Sequence, residues 1–271
     1  MTPNDLPSLI ETMRLQSGRI ALWPWHRARL LASARALGYP LDVDALDARI
    51  AEALGPSRRA TAGTAPPAGT PGDIVLHGTA ATNIATHEAA AEHPGDIAQA
   101  NAAQTDAAWR ARLLLAPDGQ VTLDVQPLPP TASPVSIALA RDAGVEAPER
   151  MGHRYLSHKT THRPWFVGAQ GWLQTHPQYF DLIFCDARGN VCEGSRSNLY
   201  AQDEQARWLT PPLACGLLPG VQRQWLLEHG LVQEAHLSST DLRAAPALRV
   251  SNALRGWLDA RLRPWRETQA G

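Results

Sequence analysis

Ten residues near the middle of the chain, PLPPTASPVS at positions 127–136, carry four prolines. No helix or interior strand accepts that density, because each proline fixes φ and removes a backbone N–H donor. Stretches of this kind stand extended and serve as spacers. The chain is therefore expected to divide into an N-terminal domain over residues 1–126, a linker over 127–136 and a C-terminal domain over 137–271. With 271 residues in all, each half is long enough to bury a core of its own.

In the N-terminal half, SLIETMRLQSGRIALWPW reads as two extended segments around a turn at Gln16-Ser17-Gly18. HRARLLASARALG then places Leu30, Leu31, Ala34 and Leu37 at helical spacing and stops at Gly38. DVDALDARIAEALG predicts a second helix, opened by acidic residues that suit a helix N-terminus. Residues 55–72, GPSRRATAGTAPPAGTPG, have no apolar period and read as a surface insertion. WRARLLLAPDGQVTLDVQPL predicts a hairpin turning at Asp118-Gly119.

The C-terminal half alternates strand and helix signals. SIALA reads as a strand, DLIFCDARGNVCEGSRSNLYA as a strand, turn and strand series, and PGVQRQWLLEHG as a helix closed by Gly230. LVQEAHL, the short helical STDLRAA and the strand ALRVSN follow. The fold class is therefore mixed α/β in two domains.

A net charge of −1 gives no general attraction to nucleic acid or to an acidic membrane. No run approaches the roughly 20 apolar residues that cross a bilayer, and the first residues show no secretory signal, so a cytoplasmic location is expected. Cys185, Cys192 and Cys215 are an odd set without metal-ligand spacing and read as small buried hydrophobes.

Of 25 basic residues, 24 are arginine, and the one lysine is Lys159 in SHKTTHR. On the surface the two residues serve about equally. As a nucleophile only lysine serves, because guanidinium stays protonated while a desolvated ammonium can lose its proton and attack a carbonyl. A Schiff-base lysine needs an aldehyde cofactor, and pyridoxal phosphate needs in addition an acid for its ring nitrogen and a cradle for its phosphate. Glu193, after the apolar pair Val191-Cys192, is a candidate acid. LLPGVQRQWLL is a glycine-containing turn opening a helix, an anion-holding arrangement, and Arg29 offers a bidentate fork. His158 and His162 flank the lysine at i, i+4 spacing without an obvious third metal ligand, so no metal is expected.

In chain order these pieces resemble the fold type IV pyridoxal-phosphate enzymes, which include branched-chain aminotransferases, D-amino acid aminotransferases and 4-amino-4-deoxychorismate lyases. HRARLLASARALG is similar to the family's helix whose arginine meets the cofactor phosphate, here Arg29. HKTTHR resembles its Schiff-base motif, here Lys159, and DLIFCDARGNVCEGSRSNLY the segment whose glutamate pairs with the pyridine nitrogen, here Glu193. LTPPLACGLLPGVQR resembles the phosphate turn, implying Val221 and Gln222 at the phosphate and Leu218 near the ring, and VSNALRG the last phosphate contact, Ser251 and Asn252. The resemblance spans residues 8–54 and about 109–259, leaving 55–105 unmatched. It implies a D-amino acid aminotransferase-like fold, pyridoxal 5'-phosphate as cofactor, a small-molecule substrate and a homodimer.

Within the family, LIETMRL and SNALRGWLDAR resemble the lyases, in particular the lyase domains attached to aminodeoxychorismate synthase, which implies a functional link to that synthase. The Gly-Thr-Ala turn of branched-chain aminotransferases is replaced by Ser251-Asn252-Ala253, and Pro164 stands where those enzymes carry tyrosine. The implied reaction converts 4-amino-4-deoxychorismate to 4-aminobenzoate and pyruvate, with Lys159 as base and Thr12 relaying a proton to the leaving group. Arg14, Arg163 and Arg255 are candidates for a substrate carboxylate, and the sequence does not choose among them. The alternative is an aminotransferase acting on branched-chain or D-amino acids.

Overall fold

A computed structural model describes residues 6–54, 107–146 and 153–264. The expected insertion at 55–72 lies outside them. The chain divides into two compact units, Met1–Pro130 and Thr131–Gly271.

Unit 1 is a three-stranded antiparallel sheet, β1 (Leu9–Gln16), β2 (Ala108–Leu115) and β3 (Val121–Pro127), with helices α1 (Trp23–Leu37) and α2 (Val43–Ala53). Side chains of β1 alternate, so Leu9, Met13 and Leu15 join Ala111, Leu113 and Leu115 of β2 and Leu30, Leu46 and Ile50 of the helices in one core. α1 ends as the sequence predicts, with Gly38 at φ 75°, and Asp42 caps α2 by accepting from the Ala45 N–H at 2.9 Å. The hairpin β2–β3 also forms, around Asp118-Gly119.

The first predicted hairpin does not form. The chain turns at Ser17-Gly18, but only three residues separate the turn's closing bridge between Gln16 and Arg19 from Trp23-Pro24, which starts α1. Proline at the first turn of a helix is pre-set for it and cannot continue a strand ladder. The partner of β1 is β2, nearly a hundred residues on.

Unit 2 is an eight-stranded sheet in the order β6-β5-β4-β11-β10-β7-β8-β9. The strands are β4 (Val135–Leu139), β5 (Asp181–Cys185), β6 (Val191–Gly194), β7 (Asn198–Gln202), β8 (Trp208–Thr210), β9 (Gln233–Glu234), β10 (Leu248–Asn252) and β11 (Gly256–Leu262). Helices α3 (Val167–Thr175), α4 (Val221–Glu228) and α5 (Ser239–Ala244) complete it. β4 begins inside the stretch expected as a linker. Neither α3 nor β11 is among the elements predicted from sequence: α3 contains two glycines, which weaken any helix signal, and β11 alternates cleanly only over its LDARL end.

The topology forces the sheet to curl. β6 stands at one end and β7 five strands away, which in a flat sheet is about 24 Å at ~4.8 Å per strand. Three residues, Ser195–Ser197, join them, and four Cα steps reach at most ~15 Å. The Gly194 N–H donates to the Ser197 carbonyl at 2.7 Å across this turn. The curl therefore carries Glu193, just before the turn, beside Asn198, just after it. The sheet's apolar side holds Ile137, Leu139, Ile183, Leu199, Val250 and their neighbours in one cluster. Among the described residues no helix is long and apolar enough to cross a membrane.

Candidate active site

All four residues of β6 are buried, and Glu193 among them is only 3% exposed. A carboxylate there is costly unless donors and cations meet it. Its Oε2 accepts the Leu218 N–H at 3.0 Å, and Nη2 of Arg163 lies 3.9 Å from Oε1. The Leu218 carbonyl accepts from Nδ2 of Asn198 at 3.1 Å. Leu218 is thus fastened through both its peptide groups to residues on the two sides of the β6–β7 turn.

From Leu218 the chain passes Pro219-Gly220 into α4. Gly220 is the N-cap residue and no side chain caps the helix, so its first N–H groups, at the buried Val221 and Gln222, are groups of the kind that can hold an anion. A Cβ on Gly220 would lie 2.0 Å from Oδ1 of Asn198, so only glycine permits this approach. Asn198 pairs with Ser251 across β7 and β10. The Ser251 hydroxyl shares a 2.7 Å hydrogen bond with the fully buried Tyr200, whose phenol burial pushes up and so holds neutral. Asn252 donates to the Arg196 carbonyl at 3.1 Å and accepts from the N–H groups of Leu254 and Arg255 at 3.1 and 2.8 Å.

The turn between β6 and β7 is itself held by Asp181, the first residue of β5. Its Oδ1 accepts from the Ser195 N–H (2.9 Å) and hydroxyl (2.6 Å), and its Oδ2 from the Arg196 N–H (3.1 Å) and the Ser197 hydroxyl (2.6 Å). Burial pushes its carboxyl up despite these donors. A Cβ on Gly194 would meet Oδ2 of Asp181 at 2.1 Å, so the turn closes around the carboxylate without room for a side chain.

Structural contacts thus bring Glu193, Leu218, Val221, Gln222, Ser251 and Asn252 into one continuous neighbourhood, with Arg163 against Glu193. Lys159 is half-buried, four residues before Arg163 on the same segment. Arg255 contributes its backbone N–H to the Asn252 turn. His158 and His162 lie in irregular chain, not on a helix, so their i, i+4 spacing does not set them on one face. The His162 ring stacks on His153, 5.6 Å between centroids. Burial, and then the charge of Arg154, push the His158 imidazole toward its neutral form.

In unit 1, Thr12 and Arg14 share the face of β1 opposite the core, where Arg14 donates to Gln16 at 2.7 Å. Burial pushes the Arg14 guanidinium below its ordinary range. Arg29 is engaged by Glu11, donating from Nε at 2.9 Å and Nη2 at 2.6 Å, and Nδ1 of His26 lies 2.6 Å from the same carboxylate. Sequence reading missed Glu11, although a signal existed: it sits in phase with Leu9, Met13 and Leu15, where the strand pattern calls for an apolar residue. Asp181, at the head of the apolar run LIFC, carried the same kind of signal.

Burial raises the Glu11 carboxyl, but the charges of Arg29 and His26 outweigh it and bring the pKa from 4.5 down to about 2. A depressed carboxylate stabilises the fold above its unfolded value and loses that contribution as pH falls through the folded one. Unit 1 is therefore expected to lose about 3 kcal/mol between pH ~4.5 and ~2. Denaturant melts over that range check it: Glu11→Gln should be less stable at neutral pH and should show a flatter acid limb. An unchanged acid limb would refute the assignment.

The chain matches the class IV aminotransferase family over residues 77–262 and belongs to it. The match runs through residues 77–105, which the motif resemblance had left out. Among solved structures, a "putative amino-acid aminotransferase" from Mesorhizobium loti is 30% identical, with a TM-score of 0.65 over 95% of this chain and 100% of that one. A hypothetical aminotransferase from Mycobacterium tuberculosis in its PLP-bound form is 20% identical, with a TM-score of 0.63 over 97% and 84%. A 4-amino-4-deoxychorismate lyase from Pseudomonas aeruginosa is 18% identical, with a TM-score of 0.58 over 94% and 82%. The last two speak to the fold. A comparison with curated proteins finds no match.

Class IV aminotransferases and lyases depend on pyridoxal phosphate. Unit 2 fits that cofactor: a buried carboxylate suited to a protonated ring nitrogen, a helix start without a side-chain cap, and a buried serine beside it.

Proposed function

We propose that the protein is a pyridoxal-phosphate lyase that converts 4-amino-4-deoxychorismate to 4-aminobenzoate and pyruvate. The observation that carries this reading within the family is the Ser251-Asn252-Ala253 turn. Its asparagine is tied on one side to Arg196 and on the other to the 254–255 backbone, in place of the small Gly-Thr-Ala turn of the branched-chain aminotransferases. Pro164, in place of a tyrosine, points the same way.

The bound cofactor supplies an electron-poor ring that acidifies the hydrogen on the amine-bearing carbon. Lys159 would hold the cofactor through Nζ and, with the substrate amine in its place there, would serve as the general base that takes that proton. Glu193 holds a proton on the ring nitrogen, and Leu218, fixed at both peptide groups, flanks the ring. The N–H groups of Val221 and Gln222, with Ser251 and Asn252, hold the phosphate. For unit 1 the proposed roles are Arg29 at the phosphate, kept in orientation by Glu11, and Thr12 as the hydroxyl that passes a proton to the departing enolpyruvyl oxygen. Arg14 and Arg255 remain the candidates for substrate carboxylates. A homodimer, a cytoplasmic location and a link to aminodeoxychorismate synthase belong to the same proposal.

The second reading, an aminotransferase for branched-chain or D-amino acids, is favoured by the name of the 30% identical Mesorhizobium structure. One experiment separates the two. Synthase-generated aminodeoxychorismate is expected to yield 4-aminobenzoate and pyruvate in equal amounts. Rapid conversion of the cofactor to its pyridoxamine form by an amino donor alone, without release of 4-aminobenzoate from aminodeoxychorismate, would replace the lyase with the transaminase.

A further inference from the structure

The sequence offers Arg163 as a candidate ligand for a substrate carboxylate, but the structure sets its guanidinium against a carboxylate of the protein. Nη2 lies 3.9 Å from Oε1 of Glu193, with the two side chains 18% and 4% exposed. At that distance the contact is too long for a hydrogen bond, so the guanidinium acts on Glu193 by its charge and does not take up the lone pairs of Oε1. Oε2 is occupied by the Leu218 N–H. The arginine is also held in place: its guanidinium carbon stands 4.6 Å over the Phe166 ring, and that ring packs 5.2 Å from Phe184 of β5, the strand paired with β6. A long side chain stacked on a buried ring over a neighbouring strand is fixed relative to Glu193.

We propose that Arg163 is a positioning residue that acts through Glu193, keeping it an anion and opposing a second positive charge at the atom Glu193 faces. This rests on the reading above, in which Glu193 faces the cofactor's ring nitrogen. Two effects run in the same direction. The guanidinium makes the ionised carboxylate more favourable and hence a weaker proton acceptor, and as a cation it disfavours another cation nearby. Arg163 thereby lowers the affinity of the ring nitrogen for its proton and limits how strongly the ring withdraws electrons. Other titratable groups near this pair in sequence are His158, Lys159 and His162 on the arginine's own segment. Beside the β6–β7 turn stand Asp181, engaged by that turn, and the exposed Arg196.

The test uses holoenzyme loaded with pyridoxal phosphate labelled with 15N in the ring, following that resonance against pH. Arg163→Met is expected to raise the pH at which the ring nitrogen loses its proton by about one to two units, a tenfold or greater change in proton affinity. Arg163→Lys, which keeps the charge, should stay within about half a unit of the unsubstituted protein. If Arg163→Met binds cofactor too weakly to measure, Arg163→Gln against Arg163→Lys is read the same way. An unmoved titration in the neutral variants, together with a raised KM for aminodeoxychorismate, overturns the proposal and returns Arg163 to the substrate. Glu193→Gln separates the two layers. If it leaves the resonance unchanged, the placement of Glu193 at the ring fails and the proposal falls with it. If it moves the resonance while neutral variants of Arg163 do not, only the role of Arg163 fails.

Discussion

Lys159→Arg is expected to abolish turnover, by about 10⁴-fold or more, while the fold survives. The substitution retains a positive charge at a half-buried position, so an electrostatic or packing role would be largely preserved. A guanidinium cannot shed its proton at any working pH and can serve neither as the covalent anchor nor as the base. Loss of the visible absorbance of reconstituted protein, and loss of borohydride trapping at the peptide that contains residue 159, should accompany the loss of turnover. Because this is the chain's only lysine, the trapped mass can fall elsewhere only at the N-terminal amine. Retained turnover in Lys159→Arg would end the proposed chemistry.

Asp181→Ala should have the largest effect on stability, on the order of 4 kcal/mol. The residue is fully buried, and its carboxylate accepts from the Leu182, Ser195 and Arg196 N–H groups and from two serine hydroxyls. Truncation removes the acceptor of two buried serine hydroxyls and of the Arg196 N–H, while the Ser195 N–H keeps only the Leu182 carbonyl at 3.1 Å. Asp181→Asn should be intermediate, since the amide keeps one acceptor oxygen but turns N–H against N–H at the other. The damage should reach cofactor binding as well, because the turn that Asp181 secures joins Glu193 to Asn198. Denaturant midpoints and pyridoxal phosphate titrations on the three proteins check both parts. A destabilisation under about 1 kcal/mol for Asp181→Ala would show that the turn closes without its carboxylate.

Sequence reading reached the site's outline because its parts carry local signals. A solitary lysine, a glutamate closing an apolar pair, and a Pro-Gly step into a helix can each be recognised within a few residues. The connections among them could not be read. Asn198 holds Leu218 from 20 residues away, Tyr200 meets Ser251 from 51 residues away, and Asp181 reaches forward to Ser195 and Ser197. Each such pair rests on which strands become neighbours, as β7 does of β10 and β5 of β6, and no local pattern sets that. The same limit explains β1: its alternation was legible, but its partner β2 was not, since local pattern sets which face a strand buries and leaves its neighbour open. Arg163 is the clearest case. Its charge was visible in the sequence, and its pairing to Glu193 was not.

The two margins of the eight-stranded sheet are protected in different ways, one by backbone bonds along its edge and the other by being cut short. At one end, the Val191 N–H of β6 donates to the Leu237 carbonyl at 2.7 Å and Asn190 bridges Ser238. At the other end, β9 is two residues long, and its Glu234 is bound to the buried Arg223. Unsatisfied strand margins are the usual templates for intermolecular pairing. Among the described residues this sheet offers only the two-residue β9 as an open margin, so polymerisation of unit 2 into fibrils should require prior unfolding.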